Sequence, residues 1–465
     1  MTLAATRGKK LSLLCVVMQK LYFRTRTVCF ALSGIVITIC TYLYINAYDT
    51  HAFLAQVGLS RTMDMQRFDY RNLTDTGRPT STMRSTSTST NTSTNTNTST
   101  TCPRRIGLPV VPAGNQREHI PHALYSMNPK LFDSIPKTFL DNFTNPCWQE
   151  NNTVTCVPFY FLIGFSKSGT SDIWTKICRH PNVVCDYHRK ESHFWTMESK
   201  ASRYMDLHDH FRVHYKKFSN MIKNHNPRAA DNIIGDGTPS TIWFNSHWAT
   251  YFDAEACKAV GPPYVFADII HTVLPDAKMI VTLRNPTDRL YSDFFYFSDG
   301  TDTPDTFHLY VIKAIEMFNA CVKEASFRAC AYTYGEFRLN NGKTNKRITR
   351  ITIGFYDVFL HDWLNAFPRD QFFVVKFEEW RTMCLTILPE IFSFLKLEGQ
   401  PEKDIKKYCT KRIVNKNSYY HGEMLPETKQ ILDKFYQSSR QEVARILENR
   451  KYLWEDNHQT TEQIS

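Results

Sequence analysis

The residues that most directly suggest chemistry are Lys167-Ser168-Gly169-Thr170-Ser171. They follow an apolar run, Phe159–Gly164, and precede Asp172–Ile177, where apolar residues recur at helical spacing. Strand, tight loop and helix together make an anion cradle. Successive backbone N–H groups turn into the loop, and the helix N-terminus adds partial positive charge. Gly164 and Gly169 have the separation of a Walker A loop, but that loop needs Lys-Ser or Lys-Thr directly after its second glycine. Here Lys167 comes before Gly169. The loop can hold a phosphate, while the lysine geometry of an ATPase is not encoded. The plain alternative is an ordinary Gly/Ser turn.

A second stretch repeats the logic. Lys278–Leu283 reads as a strand that runs into Arg284-Asn285-Pro286, and Pro286 suits a first helical position. Arg284 then stands at the strand's carboxyl end, with Ser292 about two turns into the helix. A fixed cation and a hydroxyl converging on one point make a phosphate site. The alternative pairs Arg284 and Arg289 with Asp288 or Asp293 on the surface.

Together, in this order and each on a strand–loop–helix, the two stretches resemble the sulfotransferases that use PAPS (3′-phosphoadenosine 5′-phosphosulfate). The resemblance implies that Lys167, Ser168, Gly169, Thr170 and Ser171 grip the 5′-phosphosulfate. It implies that Arg284 and Ser292 bind the 3′-phosphate. Arg189-Lys190-Glu191-Ser192-His193-Phe194-Trp195 looks like the Lys-Glu-x-His-Phe-Phe segment of the Golgi glycan sulfotransferases. By that resemblance Glu191 is the base, because a sugar hydroxyl is a poor nucleophile until a carboxylate takes its proton. Lys167 would neutralise the charge that builds on the leaving oxygen. His193 is an alternative base or a group that positions the acceptor. The plain readings make Glu191 a solvated residue and His193 a packing residue.

Gly235–Ser240 fits the family's loop after the next strand, and Ile353–Pro368 fits a later helix, where Trp363 reads as core. Lys411–His421 is a basic, aromatic stretch that could close over the nucleotide. Asn145–Trp148, Cys156–Tyr160, Arg179–Val183 and Leu290–Phe297 look most like the family members that sulfate the 6-position of 4-sulfated N-acetylgalactosamine. Ser168 and Ser171 depart from that group, which tends to have Cys and Thr there; both serines keep the loop small. The resemblance covers roughly Asn145 to Tyr436. The implied activity is sulfuryl transfer from PAPS to a glycosaminoglycan, with C6 of 4-sulfated N-acetylgalactosamine in chondroitin or dermatan sulfate as the expected position. Another glycan such as heparan sulfate, a lumenal P-loop kinase and a non-catalytic glycan-binding protein are the alternatives. A kinase would need a strand-end carboxylate for Mg²⁺, and Asp236 is the candidate.

The elements that must position these residues read as an α/β domain. Strands are expected at Phe159–Gly164, Ile233–Gly235, Lys278–Leu283 and Phe372–Phe377. Helices are expected at Ser171–Cys178, Pro286–Phe297, Phe307–Phe318 and Tyr356–Ala366. The pattern predicts a mostly parallel central sheet with helices on both faces and the ligand at the carboxyl ends of the strands. By resemblance this is the P-loop-like sulfotransferase fold.

The rest of the chain concerns address and reach. Thr27–Tyr48 carries no charge and would span about 33 Å as a helix, enough to cross a bilayer. Lys9, Lys10, Lys20, Arg24 and Arg26 precede it, which puts residues 1–26 in the cytoplasm and the bulk of the chain in the lumen. This is a single-pass type II arrangement, expected in the Golgi membrane. Residues 49–101 read as a lumenal stalk ending in a run of Ser, Thr and Asn that cannot fold, and 102–465 as the sulfotransferase domain. Ten of the 13 cysteines lie beyond the span, and Cys147/Cys156, Cys178/Cys185 and Cys321/Cys330 are close enough to close small loops. None has zinc-ligand spacing, so no metal is expected. Acceptor motifs for N-glycans at Asn72, Asn91, Asn97, Asn142 and Asn151 all follow the span. The net charge of +11 favours polyanionic partners. The resemblance narrows these to a glycosaminoglycan acceptor and PAPS, with no nucleic acid; oligomeric state stays open.

Overall fold

The structure is a computed structural model. It describes residues 102, 120–185, 190–196, 229–333, 349–410 and 422–455, apart from 128, 151–152, 246–247, 249–251, 253 and 299. The expected membrane span at 27–48, the expected stalk and Lys411–His421 lie outside the described residues. Among the described residues no helix is long and apolar enough to cross a membrane.

Two short strands, β1 (Cys147–Glu150) and β2 (Thr153–Cys156), form an antiparallel hairpin whose end pair, Cys147 and Cys156, is a disulfide. The main sheet has β3 (Tyr160–Gly164), β4 (Val183–Val184), β5 (Ile233–Asp236), β6 (Lys278–Leu283) and β7 (Phe372–Lys376), in the order β4-β5-β3-β6-β7. All its pairings are parallel. The chain leaves β3 towards β4 and β5 on one side and later crosses to β6 on the other. The end of β3 is therefore the topological switch point, where open α/β sheets bind ligands.

The helices that frame the site are α1 (Thr170–Ile177), α2 (Phe266–Val273), α3 (Pro286–Tyr296), α4 (Pro304–Glu324), α5 (Tyr356–Ala366), α6 (Phe377–Phe394), α7 (Pro426–Phe435) and α8 (Gln437–Ile446). A further helix at Glu402–Thr410 and several shorter helical segments complete the helices among the described residues. Alternate residues along a strand point to opposite faces, and both faces are buried here. Phe161 and Ile163 of β3, with Met279 and Val281 of β6, face a core completed by Ile269 and Ile270 of α2 and by Phe359 and Trp363 of α5. Tyr160, Leu162 and Ile280 face the other core, with Ile173 and Trp174 of α1 and Leu388 and Ile391 of α6. Trp363 is core, and its indole N–H is satisfied by the Ile242 carbonyl at 2.9 Å.

Five disulfides pair the ten cysteines beyond residue 48: Cys102–Cys257, Cys147–Cys156, Cys178–Cys185, Cys321–Cys330 and Cys384–Cys409. The three short-range pairs match the sequence expectation. The other two join residues 155 and 25 apart.

Candidate active site

The loop between β3 and α1 turns on two left-handed residues, Lys167 (φ 67) and Gly169 (φ 82). Gly169 caps α1, and its carbonyl accepts from the N–H groups of Asp172 (3.0 Å) and Ile173 (3.1 Å). A Cβ at Gly169 would lie 2.6 Å from the Phe377 ring, so the loop backbone presses directly on the start of α6. Ser168 is buried, Ser171 half-buried, and Thr170 buried in the first turn of α1. Two contacts fix the loop to β6: Phe165 N–H donates to the Thr282 carbonyl at 2.8 Å, and Thr282 Oγ1 donates to the Gly164 carbonyl at 2.5 Å.

Arg284 stands at the end of β6, and its Nη1 donates to the Lys167 carbonyl at 3.1 Å. The two stretches singled out in the sequence therefore meet side by side. The guanidinium lies 5.0 Å over the Phe377 ring, and Tyr356 Oη donates to the Arg284 carbonyl at 2.9 Å. Asn285 caps α3 by accepting from Thr287 N–H, and Asn285 N–H donates to Glu378 at 2.9 Å. Ser292 is half-buried in the second turn of α3. It lies one turn before Tyr296 and so shares its face. That face meets the loop, because Lys167 Nζ sits 3.4 Å from the Tyr296 ring centroid. Burial pushes the Lys167 ammonium down to about 8. Arg284 and Arg350 add to this, while Asp293 and Glu191 oppose it. Asp293 is itself buried and held by Arg350, at 2.6 Å from its Nε, with Arg289 Nη1 at 3.6 Å. Arg289 does lie against Asp293, but both are buried and not on the surface as the alternative had it, whereas Arg284 is committed to the loop.

Glu191 and His193 follow β4 and are held by the loop after β5. Asp236 accepts from Ser192 Oγ and from Thr238 N–H at 2.9 Å. Thr238 Oγ1 accepts from His193 N–H at 3.2 Å. His193 is left-handed (φ 51), a conformation that costs a non-glycine residue about 1–2 kcal/mol, and its Nδ1 is 3.5 Å from Ser240 Oγ. Strain at both Lys167 and His193 marks the two loops as places where geometry outranks local preference. Burial raises the Glu191 carboxyl, but His193 at 3.5 Å and the Lys190 ammonium at 3.0 Å outweigh it and hold the group down at about 2. The carboxylate is ionised and can accept a proton.

Sequence reasoning singled out no role for Lys190 or Arg350, and gave Asp293 only as a possible partner of a nearby arginine. Lys190 was visible only as part of a motif. The pairing of Arg350 with Asp293 spans 57 residues and left no local signal. Asp236 is committed to Ser192 and Thr238. Among the described residues no group of three or more His, Cys, Asp or Glu side chains could hold a metal ion.

The model of the sulfotransferase domain matches residues 158–442, which contain every element of this site. Carbohydrate sulfotransferase 15 of Mus musculus is 29% identical over 352 residues, covering 72% of this chain and 61% of that protein. The Homo sapiens protein of the same name is 29% identical over 387 residues, covering 70% of this chain and 67% of its own length. The bifunctional heparan sulfate N-deacetylase/N-sulfotransferase 2 of Homo sapiens is 23% identical over 277 residues, 57% of this chain and 26% of that protein. The chain spans about three fifths of the length of the mouse relative. With its matched region enclosing both loops, the chain belongs to the sulfotransferase domain family, and its relatives there include carbohydrate sulfotransferases.

Proposed function

We propose that this chain is a Golgi type II membrane enzyme that transfers the sulfuryl group of PAPS to a hydroxyl of a glycosaminoglycan, at C6 of 4-sulfated N-acetylgalactosamine in chondroitin or dermatan sulfate. The observation that carries the reading is the 3.1 Å hydrogen bond from Arg284 to the Lys167 carbonyl. It brings two anion-binding loops to adjacent strand ends, as a donor with phosphates at both ends of its ribose requires. The Lys167 loop takes the 5′-phosphosulfate, and Arg284 with Ser292 takes the 3′-phosphate.

In this reading the acceptor oxygen attacks sulfur in line. The new O–S bond forms as the bond from sulfur to the bridging oxygen breaks, and adenosine 3′,5′-diphosphate leaves. Glu191 receives the acceptor's proton, with His193 orienting the carboxylate. The Lys167 ammonium neutralises the charge left on the bridging oxygen. The net charge of +11 suits a polyanionic acceptor. Five disulfides suit an oxidising lumen, and the uncharged span at 27–48 supplies the anchor. The choice of sugar rests on the resemblance of Asn145–Trp148, Cys156–Tyr160, Arg179–Val183 and Leu290–Phe297.

Labelled PAPS and a panel of glycans test this. Label should appear on chondroitin or dermatan sulfate. Lys167→Ala or Glu191→Ala should remove transfer, by roughly 100-fold or more, while expression stays normal. Full activity in Glu191→Ala removes it as the base. Binding of Mg-ATP in place of adenosine 3′,5′-diphosphate overturns the donor.

A further inference from the structure

Lys190 touches both halves of the site. Its Nζ donates to Thr170 Oγ1 of the phosphate loop at 3.1 Å and to Glu191 Oε1 at 3.0 Å. Its stem is fixed. Gly237 N–H donates to the Lys190 carbonyl at 3.1 Å, and a Cβ at Gly237 would come within 2.8 Å of Lys190 Cγ. Beyond Cγ the side chain runs past this packing to the two oxygens. Burial disfavours its charge, which Glu191 and Asp236 support, so it stays beside whichever anion is nearest. Among the described residues the charged groups around the pair are few. His193 lies 3.5 Å from Glu191 on the far side. Asp236 is tied to Ser192 and Thr238, and Lys167 stands across the loop. Glu191 is the anion that Lys190 meets. A phosphosulfate in the loop would place a second one against Thr170.

We propose that Lys190 is a positioning residue that couples donor binding to release of the base. Its ammonium pairs with Glu191 and reaches Thr170; a phosphosulfate brought against Thr170 draws the ammonium to itself and frees Glu191 Oε1 for the acceptor hydroxyl. Lys190 keeps its protons throughout, and the only proton that moves passes from the acceptor to Glu191. The inference rests on the donor reading above and adds to it an order: donor first, then a competent base.

The test uses the full chain and initial rates as a function of pH. The profile of kcat/KM for PAPS reports the free enzyme, and that of kcat reports the loaded one. In the unmodified chain the acidic fall in kcat should lie at higher pH than the fall in kcat/KM. Lys190→Met should raise the donor KM about tenfold, the scale of one charge-assisted hydrogen bond, and merge the two falls. Lys190→Arg should keep them apart. Coincident falls in the unmodified chain overturn the coupling, with no variant needed. So does Lys190→Met with an unchanged donor KM or with the falls still apart, the latter marking a structural role. If the unmodified chain transfers no sulfate from PAPS to any glycan, the donor reading fails and the coupling with it. If it transfers sulfate and the falls coincide, only the coupling fails.

Discussion

Substituting Gly169 by alanine should disable donor binding through both loops at once. The residue sits at φ 82, where an L side chain costs about 1–2 kcal/mol. The new Cβ would also meet two carbons of the Phe377 ring at 2.6 and 2.8 Å, well inside the roughly 3.5–4.0 Å at which carbons attract. Overpacking of this kind costs about 1–3 kcal/mol, so the total loss of stability is about 2–5 kcal/mol. The ring cannot yield without consequence, because the Arg284 guanidinium lies 5.0 Å over it. Relief of the clash therefore displaces the second anion site, and affinity for adenosine 3′,5′-diphosphate should fall at least about tenfold. Gly300→Ala is the control. It shares the left-handed backbone, at φ 91, with nothing within 4 Å of its added carbon. It should lose only the strain of about 1–2 kcal/mol and bind the nucleotide normally. Thermal unfolding and calorimetric titration of the full chain measure both quantities. Equal losses of stability in the two variants, or normal nucleotide binding by Gly169→Ala, would refute the reasoning.

Two further outcomes follow from charge and covalent geometry. In the proposed mechanism Lys167 works as a cation, and with its pKa brought down to about 8 it gives up its proton at lower pH than an ordinary lysine. The kcat/KM for PAPS should therefore fall as pH rises through about 8, and the fall in kcat should come later, because the bound anion favours the ammonium. A flat profile up to the ordinary lysine value of about 10.4 contradicts this. Removing Cys102–Cys257, with a separation of 155 residues, should cost more stability than removing Cys147–Cys156, with a separation of 9. Chain entropy puts the gap at about 2.5 kcal/mol. Equal shifts in Tm for Cys102→Ser and Cys147→Ser would show that loop closure is not what these bridges contribute.

What was legible in the sequence was local. β6 and the Tyr356–Ala366 helix carry their expected bounds, and β3 and α1 differ from expectation by one residue at the ends. These segments are apolar runs with clear punctuation, so periodicity reads them directly. The expected Phe307–Phe318 helix instead runs from Pro304 to Glu324. Thr303 and Thr306 form its cap and Pro304 its first turn, a start signal that its apolar positions alone do not show. α6 went unread because Pro389 lies inside it, and β4 because it has only two residues. The same divide holds in the site. Lys167, Glu191 and Arg284 stand out by motif. Tyr356 behind Arg284, Asp293 behind Arg350 and the reach of Lys190 back to Thr170 are contacts that join stretches 72, 57 and 20 residues apart. They exist only once the sheet is assembled, and no short window contains them.

The bonds that join the ends of β3 and β6 bridge 117 and 118 positions of chain. Nothing local can prefigure them, since such long-range pairing has to overcome loop-closure entropy before it contributes. A polypeptide in which β3 and β6 have not yet paired lacks both bonds, whereas a folded one has them. Any ligand that fits there recognises completed molecules alone and draws the population towards them by mass action. If that ligand is the nucleotide proposed above, its binding and the closing of this seam report on each other, and unfolding of the full chain should shift upward in its presence.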